Sequence, residues 1–303
     1  MTIPSTIYVE LQTTSHFSFL RGASSPEELF AAAARLGHSA LGLCDRGSVA
    51  GMVRGLSGQE ATGVRLIAGS RVDLRDGRSL LLYPKDRAAW SRLTRLLSLG
   101  KARGGKGNCW LDWPDVAASV EGLVAIFIPD DADERTRLDL GALREAFGID
   151  AYLALSLRRR PGDFARLHAL DALARDLGVK SVACGDILYH ASERRPLQDV
   201  LTAIREKTTI DALGFKRERF MDRALQSPAE MERRFALFPD AIQATADIAA
   251  VCRFDLAEIR YQYPYEEVMA GRSAQEALAA LTEEGAARMF PDGVPPAYRK
   301  QID

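Results

Sequence analysis

Short apolar runs alternate with amphipathic stretches along most of the chain. Tyr8–Leu11, Ala40–Cys44, Leu66–Leu74, Leu80–Tyr83, Leu123–Ile128, Tyr152–Leu157 and Val179–Cys184 are rich in Leu, Val, Ile and Tyr, which predicts strands. Ala40–Cys44 does not alternate, the pattern of a strand covered on both faces. Asp76-Gly77 between two of these runs predicts a hairpin turn. The intervening stretches have helical spacing. Ser25-Pro26-Glu27-Glu28 reads as a helix start, with Ser25 as N-cap, Pro26 in the first turn and Glu28 completing a capping box; the helix should stop at Gly37. Val49–Ala61 is a second helix, and Trp90, Leu93, Leu96 and Leu97 form the apolar face of another. Pro161–Leu177 predicts a helix with Phe164, Leu167, Leu170, Leu173, Ala174 and Leu177 inward. Gly100–Asn108 is basic and glycine-rich, and predicts a mobile loop.

Strand and helix in repeated alternation predict a parallel α/β sheet, closed or nearly closed into a barrel. From Arg195 onward the pattern turns helical, over Pro196–Arg205, Ser227–Phe235, Phe238–Cys252 and Ser273–Met289. In such a barrel, chemistry belongs to the loops at the carboxyl ends of the strands. Those loops read LQTTSHFSFLRG, LCDRGSVAG, IAGSRVDL and CGDILYH.

Composition narrows the function classes. The chain of 303 residues is 47% hydrophobic and 27% charged, which excludes disordered and collagen-like chains. Forty Lys and Arg against forty-one Asp and Glu leave a net charge of −1, so any nucleic-acid surface would be a local patch. Lys101, Arg103 and Lys106 are candidate contacts to a DNA backbone, as is the run Arg158-Arg159-Arg160; the competing reading is a solvated charge run. The four cysteines, Cys44, Cys109, Cys184 and Cys252, form no CxxC pair and fit reduced thiols. The start of the chain lacks the features of a signal peptide, and the apolar runs are too short to span a bilayer, which predicts a cytoplasmic protein without a membrane partner. The histidines are few. His16 reads as a surface loop residue or a ligand contact, His38 as exposed, His168 as packed or half-exposed beside a helix stripe, and His190 as lying near the strand-end loops. Cys184 reads as an inert buried thiol rather than a nucleophile.

The segments SHFSFLRGASSPEEL, SVAGMVR, CGDILYHASERRPLQDVLTAIR, SPAEMERRFALFPDAI and CRFDLAEIRYQYPYEE carry a resemblance. The chain resembles, from about Tyr8 to Gln301, the N-terminal PHP (polymerase and histidinol phosphatase) domain of bacterial C-family DNA polymerases. Within these it is most similar to the error-prone, damage-inducible branch of the replicative alpha subunit. The resemblance implies a distorted (β/α)7 barrel followed by a helical C-terminal extension leading toward a polymerase palm. It divides the chain into a barrel core over 1–194, a helical completion of the PHP domain over 195–265, and the truncated start of the palm or its linker over 266–303.

Active PHP domains hold a cluster of metal ions in these loops, and the resemblance implies the ligand positions. Here they are Gln12 and Thr14, Arg21, Asp45 and Arg46, Arg71, and Asp186 with Leu188. Of these only Asp45 and Asp186 keep side chains suited to a divalent metal. Gln and Thr are neutral oxygen donors, and Leu188 offers none. Arg46 and Arg71 bring fixed positive charge. A unit charge about 4 Å from a dication, at an effective dielectric of about 20, costs on the order of 8 kcal/mol. The expectation is a degenerate pocket with no metal and no catalytic residue. Arg71, Arg46 or both should pair with Asp45, Asp186 and Glu10, unless the arginines point to solvent. The same pocket is open to an anion.

The function implied is a non-catalytic scaffold domain of an error-prone, translesion DNA polymerase. The parent's nucleotidyl transfer would rest on Mg2+ and on palm carboxylates beyond this chain, which itself requires no cofactor. Its partners would be the palm and thumb, DNA through the full-length enzyme, and other mutasome or replisome subunits. The alternative is a metal-dependent PHP phosphoesterase or a proofreading 3′–5′ exonuclease.

Overall fold

Seven strands, β1 (Glu10–Thr13), β2 (Ala40–Arg46), β3 (Arg65–Asp73), β4 (Ser79–Pro84), β5 (Leu123–Phe127), β6 (Ala151–Leu155) and β7 (Lys180–Ala183), pair in sequence order into one curled sheet. The computed structural model describes residues 7–159, 161–217, 222–259 and 269–302. The sheet is not wholly parallel. β4 runs antiparallel to both β3 and β5, because the Asp76-Gly77 turn is too short for a crossover. The remaining pairs are parallel.

Alternation along the strands divides the core into two layers. Leu81 and Tyr83 of β4 face the same inner cluster as Val124 and Ile126 of β5, while Leu80, Leu82, Ala125 and Phe127 face the helices. The outer layer is packed by α1 (Pro26–Leu36), α2 (Met52–Thr62), α3 (Arg87–Gly104), α4 (Trp113–Ala117), α5 (Glu134–Phe147) and α6 (Asp163–Asp176). The expected capping box at Ser25 and Glu28 is present, and α1 ends on Gly37 in the left-handed conformation.

The curl brings β1 back to the chain just after β7. Thr14 N–H donates to the Ile187 carbonyl at 2.9 Å, and Ile187 N–H donates to that of Gln12 at 2.7 Å. Glu10 completes the seam. Its buried carboxylate accepts from Gly185 N–H at 3.0 Å, Gln12 N–H at 2.8 Å and the Tyr8 hydroxyl at 2.6 Å. Beyond the sheet come α7 (Arg195–Glu206), α8 (Pro228–Arg234) and α9 (Pro239–Val251). α9 lies across the amino-terminal strand ends. Thr245 Oγ1 accepts from Val9 N–H at 3.0 Å, and Arg65 at the start of β3 donates to the Cys252 carbonyl at 2.9 Å. The opposite end, where the strands finish, is left for the site.

The chain divides into two compact units, Met1–Ile259 and Arg260–Asp303. α7, α8 and α9 therefore share a unit with the sheet. The expected boundary near 265, and much of CRFDLAEIRYQYPYEE, fall on residues 260–268, outside the described residues. The second unit contains α10 (Ala274–Met289) and α11 (Pro296–Ile302), joined by an ion pair from Arg299 to Glu283 at 2.6 Å.

Several expectations are corrected. The first half of the Gly100–Asn108 segment is the last turn of α3, where Gly100 and Gly104 leave room for Cys109 and Asn108 to pack against the helix, which ends at Gly105 with φ +67°. Phe164 is half exposed rather than inward. His38 is buried rather than exposed, its Nε2–H donating to the Gln226 carbonyl at 2.8 Å, and burial lowers its pKa. His168 is exposed, with its ring 4.8 Å from that of Phe238 and tilted 48° to it. α5 has only Leu140, Leu143 and Phe147 as large buried residues, too sparse a stripe to be read from the sequence.

Candidate functional site

β2 and β3 end side by side, and their register sets Arg46 opposite Arg71. Both side chains reach Asp73. Arg46 pairs with its Oδ2, and Arg71 Nε lies 3.1 Å from Oδ1. Ser79 Oγ fixes the triad, donating to Asp73 at 2.6 Å and accepting from Arg71 at 2.8 Å. Burial pushes the Asp73 carboxyl up, but Arg46 and Arg71 outweigh it and hold it at about 2. Burial, and then repulsion from Arg71, lower the Arg46 guanidinium to about 10, which leaves it charged at neutral pH.

Asp186 stands across the strand ends from this triad. It is a non-glycine residue at φ +51°, a conformation that Asp tolerates better than most. Its carboxylate accepts from Gln12 Nε2 at 2.8 Å and pairs with Arg223 at 2.7 Å and Arg71 at 3.8 Å. Arg223 Nε also donates to the Asp186 carbonyl. Burial alone would raise this carboxyl. Arg223 first, then Arg71, Arg158 and Arg46, hold it below the usual range instead.

Asp45 behaves differently. It is fully buried, and no arginine among the described residues pairs with it. Ser15 N–H at 2.9 Å, Ser15 Oγ at 2.8 Å and Ser18 Oγ at 2.6 Å satisfy its oxygens. Burial raises its pKa against these bonds. The expected pairing of arginine with both aspartates and Glu10 is thus correct for Asp186 alone. Asp45 takes serine donors, and Glu10 takes Tyr8 and two backbone amides.

The other sequence-derived positions scatter. Thr14 is buried, and its amide helps close the sheet. Leu188 packs into an apolar cluster with Ala23, Tyr189 and Ala224. Arg21 and Lys101 line a small depression beside Arg46 and Asp73. Arg103 is bound to Asp115 at 2.6 Å, and Lys106 is exposed. His16 is exposed, and His190 Nδ1 shares a hydrogen bond with Ser24 Oγ at 2.7 Å instead of entering the pocket. Cys184 is buried, and burial raises its thiol pKa, so no thiolate nucleophile forms there. Arg160 lies outside the described residues. Sequence reasoning missed Arg223, Ser15, Ser18 and Asp73. The serines lie within the loop after β1, but nothing in the chain links Arg223 to Asp186.

The residues present do not fit a metal cluster. Among the described residues, no three His, Cys, Asp or Glu side chains come together to hold an ion. The two aspartates already accept strong donors, and Arg46 and Arg71 would face any dication between them.

The PHP domain family model matches residues 10–159. Over that span the chain is similar to PHP domains. It is 52% identical over 295 residues to error-prone DNA polymerase 2 of Rhizobium meliloti (strain 1021), covering 97% of this chain and 27% of that protein. It is 44% identical to the error-prone DNA polymerase of Caulobacter vibrioides over 98% of this chain and 28% of that protein. The chain therefore spans about 27% of the length of the first of these relatives. Among solved structures, a putative metal-dependent phosphoesterase from Bifidobacterium adolescentis superposes with a TM-score of 0.46 at 15% identity, over 59% of this chain and 86% of that one. No helix among the described residues is long and apolar enough to cross a membrane.

Proposed function

We propose that this chain is a non-catalytic PHP scaffold domain of an error-prone, translesion DNA polymerase, acting in the cytoplasm in the repair of DNA damage. The observation that carries this reading is the ion pairing of Asp186 with Arg223 and Arg71 in a chain so similar to error-prone polymerases. Guanidinium groups tie the strand ends together where the family's hydrolytic members use metal. Nucleotidyl transfer, with its Mg2+, belongs on this reading to other parts of the polymerase. The palm and thumb, DNA and further mutasome or replisome subunits would be the partners.

The test pairs two assays. The purified chain, supplied with manganese or zinc, is incubated with nitrophenyl phosphate and with single-stranded DNA. In parallel, a full-length relative is assayed for primer extension after Arg71→Met at the equivalent site. No hydrolysis, together with extension that declines in step with thermal stability, supports the scaffold. Stoichiometric metal with turnover overturns it in favour of a phosphoesterase or exonuclease.

A further inference from the structure

α7 is amphipathic, but its polar side faces inward. Gln198, Asp199, Thr202 and Ala203 are its buried residues, while Leu197, Val200 and Ile204 are exposed. Those three recur at helical spacing and form one outward stripe. Charge fixes the inversion. The buried Asp199 carboxylate lies 2.8 Å from Arg217 Nε and 3.9 Å from Arg195 Nε, so the helix cannot roll its stripe inward without breaking these pairs.

Two aromatic side chains from elsewhere are tethered to the last turn of α7, where Ile204 stands. Phe19 is 83% exposed, and the next residue, Leu20, takes the left-handed backbone at φ +57° while its carbonyl accepts from Arg205 at 2.8 Å. A leucine rarely adopts that conformation, and such strain persists where the surroundings impose it. Phe215 is 98% exposed, and its neighbour Lys216 pairs with Glu206. Exposed apolar residues scattered singly are ordinary, but a helix stripe with two tethered aromatics marks a contact surface.

We propose that Leu197, Val200, Ile204, Phe19 and Phe215 form the surface on which the rest of the polymerase packs, through an apolar helix face. This rests on the scaffold reading above. The occupant follows from length. Error-prone DNA polymerase 2 of Rhizobium meliloti matches 97% of this chain, yet the match covers 27% of that protein, so most of its length remains to cover the stripe. A helical ridge of this spacing fits the groove of a facing helix.

The test is hydrogen exchange of backbone amides in this chain and in that full-length relative. Amides of α7 and of the loop 15–21 should exchange about tenfold or more slowly in the full-length protein. Val200→Lys with Ile204→Lys, made at the equivalent positions, should abolish that protection, and the same pair in the 303-residue chain should leave its melting midpoint unchanged. Leu138→Lys, on the exposed side of α5, should alter neither. Equal exchange in the two proteins, or equal loss of protection in Leu138→Lys, overturns the proposal. A midpoint that falls in the short chain alone also overturns it, since the stripe would then support its own fold. Concentration-dependent self-association of the short chain that the double substitution abolishes overturns it in favour of a second copy. The scaffold reading fails separately, by hydrolysis with metal, which leaves the exchange comparison intact.

Discussion

Asp45 and Arg46 are adjacent in sequence and end the same strand, yet they serve opposite sides of the sheet. Successive residues of a strand alternate faces. Asp45 shares the parity of Leu41 and Leu43 and meets the serine loop and Gly51 behind the sheet, where a Cβ at position 51 would lie only 2.7 Å from Oδ2. Arg46 shares the parity of the inner residues Ala40 and Cys44 and joins Arg71 at the mouth. The aligned positions were legible through the resemblance, and so was the positive charge that Arg46 and Arg71 bring to the strand ends. Their division into two unconnected sites was not, because it depends on one-residue parity and on partners supplied from elsewhere. Arg71 gives a direct test of the ionic link. Arg71→Met should destabilise the chain by about 1–3 kcal/mol. Arg71→Glu should cost at least about 1 kcal/mol more, since it sets a third carboxylate beside Asp73 and Asp186. Urea denaturation compares the two, and equal losses would mean that the charge at this position contributes nothing. Asp73 adds a pH signature. Its folded pKa of about 2 lies below its unfolded value, so the stability it contributes is complete above roughly pH 4 and is lost as pH falls toward 2. Asp73→Asn should flatten the dependence of the urea midpoint over that window, with the Asn variant losing less stability on acidification.

Tyr83 shows how the elements hold one another. From β4 its ring crosses the interior of the sheet, and its hydroxyl donates to the Leu11 carbonyl of β1. Two glycines make the crossing possible. A Cβ at Gly69 of β3 would collide with the Tyr83 ring, and one at Gly42 of β2 would meet its hydroxyl and the Leu11 Cα, each at 2.8 Å. Neither glycine has positive φ, so close approach rather than backbone conformation selects them. Gly69→Ala should therefore destabilise the chain by about 1–3 kcal/mol, through overpacking against a ring that cannot retreat. A thermal melt measures it, and an unchanged midpoint would show the interior to be looser than the contact implies. At this scale the sequence was readable where periodicity was strong. All seven strands lie within a residue or two of their apolar runs, and Ser25 caps α1 as its capping box required. It was less readable where signals competed. α5 carries mostly charged residues over a short buried stripe, and Phe164 matched the helical period of α6 but stands at its exposed start.

On the scale of the whole chain, near-neutral net charge conceals a strong local separation. The arginines around Asp186 come from strand ends and from the segment after α7, which no composition figure could bring together. That arrangement makes a prediction about divalent metal. A site with a dissociation constant of about 10 μM, in the presence of about 1 mM ion, would stabilise the folded chain by about 2.7 kcal/mol and raise its melting midpoint by several degrees. The unaltered chain should show no such rise with manganese or zinc, because a dication entering between Asp186 and Asp73 meets Arg46, Arg71 and Arg223 before it gains a ligand. Thermal unfolding with and without each metal, and with chelator, makes the measurement. A midpoint that climbs with manganese and falls again with chelator would mean that the arginines swing aside and release their carboxylates, and the ionic link would then be a gate for metal rather than its replacement.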